Sequence, residues 1–388
     1  MEVLPKDSEK YMRLAIELAK KGEGFTNPNP MVGAVIVRDD KVIATGYHHR
    51  CGNLHAERDA LKNLAEGREP ENVGYVDAPE PGSVKDASAD GATMYVTLEP
   101  CCHRGKQPPC TEAIVSAGIK HVVIGSRDPN PLVSGKGVQY LRDHGIEVTE
   151  DFLRDECDAV NPVFFKYITE KSPYVVLKYA MTLDGKIATA GGESKWITGE
   201  EARAAVQRMR HRYMAIMAGI GTVLADDPML NVRVDGLKSP VRVICDSSLR
   251  IPAECNIVKT AQEIRTIVAY AAGNAEKENV LRDSGVELMH MPGADGRVDI
   301  PGLVKKLGES GIDSIFVEGG GTLNDTLRAT GLVDRVECFV APKIFGGACA
   351  KSPVEGAGVQ SIGDALNLRI ESMRQIGEDI LLSYTRAI

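Results

Sequence analysis

The sequence predicts two α/β domains joined in one chain. Its 388 residues exceed the size at which one hydrophobic core normally stops growing. Apolar segments of strand length alternate with amphipathic helical patterns in both halves, as in layered α/β domains. Because the two halves show no internal repeat, two unrelated folds are expected.

The first domain is expected to end near residue 150. An amphipathic helix at 9–21 precedes two strands that are joined by a charged turn, and a further helix follows at 55–66. A stretch rich in Pro, Gly and Asp at 69–91 has no clear periodicity and is predicted to be a long loop. The remaining elements are strands at 31–37, 42–47, 93–98, 121–125 and 146–150 and helices at 111–117 and 137–144.

The second domain is expected to begin at residue 174. The predicted organisation is a first domain at 1–150, a connecting helix and linker at 151–173, and a second domain at 174–388, with the connecting helix at 152–166. Strands of the second domain are expected at 174–179, 213–219, 241–246, 266–270, 286–289 and 314–318.

Charge and apolar content limit the partners of the protein. A net charge of −8 disfavours nucleic acid, which is bound through clustered cations, although a few local cations can still hold a small phosphorylated substrate. No apolar run approaches the roughly 20 residues of a membrane span, and the charged start lacks a signal-peptide pattern. A cytoplasmic protein without membrane partners is therefore expected, with its nine cysteines as reduced thiols, some of them metal ligands.

One histidine and two separated cysteines have the arrangement of a catalytic zinc site. His55 precedes Glu57 by two residues at the start of a predicted helix, and Cys101 and Cys110 follow prolines in a later loop. Three protein ligands leave the fourth tetrahedral position for water. Two thiolates reduce the Lewis acidity of zinc, so Glu57 is the candidate proton shuttle. Zinc nucleobase deaminases share the pattern His-x-Glu followed by Pro-Cys-x-x-Cys.

The sequence leaves parts of this zinc site open. The second cysteine lies nine positions after the first, where the pattern has three, and chemistry alone does not separate Cys101 from Cys102. His103 is a further potential ligand. A structural zinc site or simple packing of the cysteines is the alternative to catalysis.

A glycine-rich turn marks a candidate anion site in the second half. An apolar strand is followed by Gly319, Gly320 and Gly321 and then by a helical segment, so that backbone amides and the helix N-terminus can approach a phosphate. The turn lacks the Gly-x-Gly-x-x-Gly fingerprint, and a plain strand-to-helix turn is the alternative. Lys178 on a predicted strand is either a proton donor or a surface charge.

The first half resembles the deaminase domain of the bifunctional riboflavin-biosynthesis deaminase/reductase family. The similar segments are 27–34, 46–48, 55–57, 97–101 and 105–110. The resemblance implies a cytidine-deaminase-like three-layer fold, with Glu57 as proton shuttle and Zn²⁺ held by His55, Cys101 and Cys110. It places Asn29, His48, His103 and Lys106 facing the substrate. Cys102 replaces an expected serine and the 69–91 loop is longer than in the family, which affects loop geometry more than zinc binding.

The second half, from Tyr174 nearly to the C-terminus, resembles the reductase domain of the same family, which has a dihydrofolate-reductase-like fold. The similar segments are 183–188, 194–198 and 317–324. The resemblance implies NADPH as cofactor, bound by Ala180, Trp196, Thr222, Asp226, Ser247, Gly320, Gly321, Thr322, Leu323, Asn324, Asp325 and Thr326. It implies substrate contacts at Ser194, Arg210, Leu230, Arg233 and Glu318, of which the two arginines suit a phosphate or ribityl chain.

Together the two resemblances imply two consecutive steps of riboflavin biosynthesis. The first domain would hydrolyse the exocyclic amine of 2,5-diamino-6-ribosylamino-4(3H)-pyrimidinone 5′-phosphate, and the second would use NADPH to reduce the ribosyl side chain to ribityl. A homo-oligomer is expected. The alternatives are a free-nucleotide cytidine-type deaminase with an accessory domain and a non-catalytic regulator that binds zinc and a ligand.

Overall fold

Two β-sheets organise the chain in the computed structural model, one in each of the units Met1–Glu170 and Lys171–Ile388. The structure describes residues 8–71, 74, 87–105, 107–130 and 133–387. Lys106 and most of the predicted 69–91 loop lie outside the described residues. Within the described ranges, every helix is too short or too polar to cross a membrane.

The first unit contains a five-stranded sheet with strand order β2-β1-β3-β4-β5. Its strands are β1 (Gly33–Arg38), β2 (Lys41–Tyr47), β3 (Thr93–Leu98), β4 (His121–Ser126) and β5 (Glu147–Thr149). Its helices are α1 (Ser8–Lys20), α2 (Ala56–Ala65), α3 (Cys110–Ser116), α4 (Lys136–Asp143), α5 (Arg154–Asp158) and α6 (Pro162–Glu170). Strand β1 is antiparallel to β2 and β3, whereas β3, β4 and β5 are parallel.

Helices cover both faces of this sheet, so the first unit has three layers. Successive side chains of a strand point to opposite faces, and β3 shows this directly. Met94 and Val96 enter a core that also contains Ile114 of α3, whereas Tyr95 enters a second core with Leu14 of α1. The central position of β3 fixes its carboxyl end, from which the candidate zinc-ligand loop departs.

The predicted connector packs largely on the first unit. One continuous helix at 152–166 is the expectation from sequence, and that prediction is wrong, because α5 and α6 are separate helices. Pro162 lacks an amide hydrogen and restricts the residue before it, which favours a break. At the break, the Asn161 side chain accepts from the Met31 backbone N–H and donates to the Met31 carbonyl, both at 2.8 Å.

The second unit contains a nine-stranded sheet with strand order β10-β9-β8-β7-β11-β6-β12-β14-β13. Its strands are β6 (Tyr174–Thr182), β7 (Ala215–Gly219), β8 (Val241–Cys245), β9 (Thr266–Tyr270), β10 (Glu287–His290), β11 (Ser314–Val317), β12 (Arg335–Ala341), β13 (Leu368–Ile376) and β14 (Asp379–Arg386). Its helices are α7 (Glu200–Arg212), α8 (Ile220–Asp226), α9 (Asn256–Lys259), α10 (Ala275–Asp283), α11 (Ile300–Glu309) and α12 (Gly321–Ala329).

The strands of this sheet are parallel from β10 to β12, and the sheet ends in the antiparallel strands β14 and β13. The strands expected from sequence are all present, whereas β12, β13 and β14 are additional. Strand β13 lies at the edge of the sheet and exposes most of its side chains, among them Ile370 and Met373. A strand without one buried face lacks the alternation of apolar and polar residues that identifies strands in a sequence.

Candidate active sites

Three side chains converge in the first unit to form a candidate metal site. The Nδ1 of His55 lies 3.5 Å from the Sγ of Cys101 and 3.4 Å from the Sγ of Cys110. All three donor atoms lie within 4.8 Å of one another. The geometry therefore brings together the three ligands expected from the sequence.

The ligands are held by the ends of regular elements. His55 is the residue before α2, Cys101 lies in the loop after β3, and Cys110 begins α3. Helix α2 packs tightly on β2, because a β-carbon at Gly46 would fall 2.3 Å from the backbone nitrogen of Ala60. A larger residue at position 46 would push α2, and with it His55, away from the sheet.

The donor set fits zinc. Bond lengths of about 2.3 Å to sulfur and about 2.0 Å to nitrogen place tetrahedral S and N ligands about 3.5 Å apart, close to the observed separations. A hydrogen bond with Cys110 lowers the pKa of the Cys101 thiol far below its usual range, and His55 adds to this effect. A thiolate is the form that binds metal. Cys102 does not belong to the cluster, so the geometry favours Cys101 over its neighbour as the ligand.

Glu57 lies in the first turn of α2, directly beside the metal cluster. Its side chain is buried, with the residue 3% exposed. Burial raises the pKa of the Glu57 carboxyl, and the neighbouring Cys101 thiolate adds to the rise. A carboxyl with a raised pKa holds a proton more readily than an ordinary glutamate does, which suits a group that accepts and returns protons.

Polar side chains next to His55 form the surroundings of the site. His48 packs edge-on against the His55 ring at 5.5 Å, and burial lowers the pKa of His48. The His48 Nδ1 lies 2.9 Å from the carbonyl oxygen of Leu54, and its Nε2 lies 3.4 Å from Asn29 Nδ2. The neutral ring therefore donates to Leu54 and accepts from Asn29, which fixes both side chains beside the metal cluster.

Asp128, a buried carboxyl near the same site, was not predicted from the sequence. Parallel pairing of β3 with β4 places the loops after both strands at one edge of the sheet. Burial raises the pKa of Asp128 to about 6, and the negative charges of Glu99 and Cys101 contribute. The signal available in the sequence was a polar Asp-Pro-Asn-Pro segment directly after an apolar strand, at 128–131.

Metal analysis tests the ligand assignment. The purified protein is expected to contain about one zinc per chain, and replacing His55, Cys101 or Cys110 with alanine should remove it, because two protein ligands do not close the site. Cys102→Ala is the matched control and should keep its zinc. If Cys102→Ala loses zinc while Cys101→Ala retains it, the assignment is wrong.

The second unit contains a cavity of about 250 Å³ beside β6, α7 and the start of α12. The expected site residues that line it are Ala180, Ser194, Trp196, Arg210, Arg233, Glu318 and Asn324. The indole of Trp196 is 62% exposed and is available to a flat ligand. The buried Oδ1 of Asn324 has no partner among the described residues, and such an orphaned acceptor in a cavity wall fits a bound polar ligand such as a nicotinamide cofactor.

A buried charge cluster forms one wall of this cavity. The guanidinium of Arg210 donates from Nε to Glu318 Oε1 at 2.6 Å and from Nη2 to Oε2 at 3.0 Å. Lys178 Nζ lies 3.8 Å from Glu318 Oε2, and both side chains are only 13% exposed. Although burial opposes ionisation, the charges of Arg210 and Lys178 lower the pKa of Glu318 to about 2. Burial lowers the pKa of Lys178, which Glu318 partly offsets.

Several other expected contacts lie around the cavity without lining it. Asp226 is 3.5 Å from both Ser194 Oγ and Lys195 Nζ. Leu230 is buried, and Ser247 Oγ accepts from the backbone of Val298 at 3.2 Å. Of these positions, Asp226 at the end of α8 contacts a residue that lines the cavity, Ser194.

The expected contacts on α12 separate into backbone and side-chain positions. Leu323 packs in the core, the Asp325 carboxylate accepts from Arg328, and the Thr326 hydroxyl donates to the carbonyl of Thr322. The first-turn amides of α12 are therefore the part of the helix available to a phosphate. Beside this turn, a β-carbon at Gly320 would lie 4.0 Å from the hydroxyl of Thr222.

The structure shows a packing reason for glycine at position 321 that was not predicted from the sequence. A β-carbon there would fall 2.4 Å from Cγ of Glu355, whose side chain packs directly on the glycine. The backbone N–H of Glu355 also donates to the Gly321 carbonyl at 3.0 Å. Glycine is therefore required at position 321 by the close approach of the segment that carries Glu355, and not only by the approach of a phosphate.

Comparisons with known proteins assign both units. Residues 5–126 match the family model for the cytidine and deoxycytidylate deaminase zinc-binding region. Residues 173–382 match the family model for the RibD C-terminal domain. The riboflavin biosynthesis protein RibD of Actinobacillus pleuropneumoniae is 51% identical over 374 residues, which cover 96% of this chain and 94% of that protein.

Solved structures agree over both units. Acinetobacter baumannii RibD (form 1) has a TM-score of 0.83 and 36% identity, with 99% of each chain covered. A diaminohydroxyphosphoribosylaminopyrimidine deaminase/5-amino-6-(5-phosphoribosylamino)uracil reductase from Thermotoga maritima has a TM-score of 0.83 and 37% identity, covering 98% of this chain and 99% of that chain. The chain therefore belongs to the bifunctional RibD family of riboflavin biosynthesis, with a zinc-dependent deaminase domain and an NADPH-dependent reductase domain.

Proposed function

We propose that the first unit deaminates 2,5-diamino-6-ribosylamino-4(3H)-pyrimidinone 5′-phosphate and that the second reduces the ribosyl side chain of the product to ribityl. The observation that carries this proposal is the presence, in one chain, of a His-Cys-Cys cluster beside a buried glutamate and of a cationic cavity beside a glycine turn. Full-length similarity to RibD proteins supports the same pairing of activities.

In the deaminase unit, His55, Cys101 and Cys110 hold the metal, and Glu57 moves protons. Zn²⁺ supplies Lewis-acid activation of a water molecule when it is bound. Glu57 accepts a proton from that water and returns protons to the substrate, so that ammonia can leave. His48 and Asn29, held together beside His55, orient the pyrimidine.

In the reductase unit, polar side chains hold the sugar phosphate beside the cofactor. NADPH supplies hydride, which is delivered to C1′ of the opened ribose. Trp196, in the cavity wall, would contact the nicotinamide when NADPH is bound, and the first turn of α12 would hold a phosphate of the cofactor. Arg210 and Arg233 hold the substrate. Opening of the ribose requires a proton at the ring oxygen, and Lys178 donates it.

The remaining expectations concern the setting of the enzyme. We propose a small phosphorylated pyrimidine as partner, because a chain of net charge −8 is poorly suited to nucleic acid. A cytoplasmic location agrees with the absence of disulfide bonds among the nine cysteines, each of which lies in the described part of the chain. A homo-oligomer would cover the apolar side chains on the exposed edge strand β13.

Incubation with the diamino-pyrimidinone phosphate tests the proposed function. Without NADPH, mass spectrometry should detect release of ammonia and a product in which oxygen replaces one amine. With NADPH, the product should gain two hydrogens. Deamination of cytidylate or deoxycytidylate but not of this substrate would instead support a free-nucleotide deaminase, and zinc binding without either activity would support a regulator.

A further inference from the structure

Arg242 on β8 is a fully buried guanidinium whose hydrogen bonds, among the residues that the structure describes, all go to non-acidic partners. It is 0% exposed, and each of its six hydrogen bonds, at 2.8–3.2 Å, goes to a neutral oxygen. The acceptors are the hydroxyls of Thr260 and Thr266 and the carbonyls of Met229, Ile257, Thr260 and Ile264. Burying a charge without an acidic group in hydrogen-bond contact is costly, and burial lowers the pKa of Arg242 to about 10 although Glu263 acts in the opposite direction, so a specific role is expected for this residue.

One of these bonds reaches the loop 227–233, which follows α8 and carries two expected substrate contacts. Arg242 Nη1 donates to the carbonyl of Met229 at 3.2 Å, directly before Leu230. Leu230 has a φ of +47°, a left-handed conformation that is unfavourable for leucine. Arg233, three residues later, lines the reductase cavity. The hydrogen bond from Arg242 to the Met229 carbonyl therefore holds the loop directly beside its strained residue, Leu230.

The other bonds of Arg242 tie the loop to a rigid neighbour. Four of them reach residues 257–264, in α9 and the turn that follows. The side chain of Asn256, at the start of α9, also donates to the carboxylate of Asp227 at 2.9 Å. Arg242 and Asn256 thus fasten the loop 227–233 to α9 from outside the cavity.

Inside the cavity, the same loop is held by two lining residues. Arg210 Nη1 donates to the carbonyl of Asn231 at 2.9 Å, and the side chain of Gln207 accepts from the N–H of Arg233 at 2.9 Å. Both contacts involve groups at the substrate site, so the bonds made by Arg242 are a separate support. Trp196 and the first turn of α12, two of the elements proposed to bind NADPH, are not among the six described hydrogen-bond acceptors of Arg242.

We propose that Arg242 is a positioning residue of the reductase, which holds the loop 227–233 so that Leu230 and Arg233 meet the sugar-phosphate substrate. This inference rests on the proposed reductase function. Contacts that hold the substrate equally in the ground and transition states raise KM when they are lost and leave kcat nearly unchanged. Loss of the Arg242 hydrogen bonds should therefore weaken substrate binding and leave NADPH binding unchanged.

Arg242→Lys tests the proposal in the full chain. We expect KM for the deaminated substrate to rise about tenfold or more while kcat changes by less than about threefold, as for loss of binding that is equal in ground and transition states. The NADPH midpoint, measured by quenching of the single tryptophan, should stay within about twofold, because independent sites do not couple. Deamination by the first unit should also stay unchanged and is an internal control for the protein concentration.

Arg265→Lys is the matched control. Arg265 precedes β9 and pairs with Glu287 at 2.7 Å, and both side chains are about half exposed. This variant should leave KM unchanged. Equal losses of NADPH affinity and substrate affinity in Arg242→Lys would mean a general structural role and would overturn the proposal, as would an unchanged KM.

A second variant is available if Arg242→Lys does not fold. Thr260→Val removes the hydroxyl that accepts from Arg242 Nη1 at 2.8 Å, the same nitrogen that bonds Met229. A KM rise of about threefold with an unchanged NADPH midpoint is expected, and no rise would overturn the proposal. A wild-type enzyme that binds NADPH but does not reduce the deaminated substrate would overturn the proposed function itself, which distinguishes the two failures.

Discussion

Replacing Glu57 with glutamine is expected to lower kcat for deamination by about 1000-fold while zinc stays bound. Glutamine has nearly the same shape as glutamate but cannot accept the proton of the activated water. Glu57 is buried beside the ligands and is not one of the three donor atoms, so the metal site should remain intact. Ammonia release measures the first effect, and metal analysis of the same sample measures the second.

Asp59→Asn provides a matched control on the same helix. Asp59 is also a buried carboxylate of α2, but it accepts from the Tyr47 backbone and lies 3.1 Å from His49 Nε2, away from the zinc ligands. Asp59→Asn should keep most of the deaminase activity. In both variants, the reductase unit should reduce substrate that was deaminated beforehand as fast as the wild type does. Residual deamination above about a tenth of wild type in Glu57→Gln would remove Glu57 from its assigned role.

The zinc site was predictable because its chemistry is carried by a few unusual residues. A histidine, a glutamate and two cysteines after prolines have few other reasons to occur in that order, and each lies at or near the end of a strand or helix. The choice between Cys101 and Cys102 could not be made from residue chemistry alone, and Cys101 was expected only from the family resemblance. Adjacent residues in an irregular loop share composition and exposure, and only the fold shows that the sulfur of Cys101 faces His55.

The burial of Asp128 and of Arg242 could not be predicted from sequence for a related reason, although a polar segment marked the position of Asp128. Each acquires its character from burial among groups that are distant in the chain, such as Glu99 beside Asp128 or Thr260 beside Arg242. A sequence pattern reports periodicity and local turn chemistry, not which strands become neighbours in the sheet. The order of β8 and β9 places Arg242 against its acceptors, and that order is a property of the whole unit.

Lys178 has the properties of a proton donor in the reductase cavity. The sequence allowed either a donor or a surface charge, and the structure places its side chain in the cavity wall, 13% exposed and 3.8 Å from Glu318. Burial lowers the pKa of Lys178, and the positive charge of Arg210 acts in the same direction. A lysine with a lowered pKa releases its proton more readily than an exposed lysine does.

Lys178→Met should therefore lower kcat of the reductase by about 100-fold or more, with NADPH quenching of Trp196 emission and deaminase activity unchanged. Lys178→Arg is the sharper variant, because arginine keeps the positive charge beside Glu318 but does not deprotonate at any working pH. If Lys178 only balances the charge of Glu318, arginine should restore activity. If it donates the proton, arginine should be as slow as methionine.

The pH profile gives a second, independent readout. Donation requires protonated Lys178, so wild-type kcat should fall as pH rises through the pKa of this residue, which lies below that of an ordinary lysine. Glu318 raises the pKa of Lys178, so Glu318→Gln should move the alkaline limb to lower pH. In Lys178→Arg the limb should disappear, because the titrating amine is gone. An alkaline limb that persists unchanged in Lys178→Arg would assign the titration to another group and leave Lys178 without a role in proton transfer.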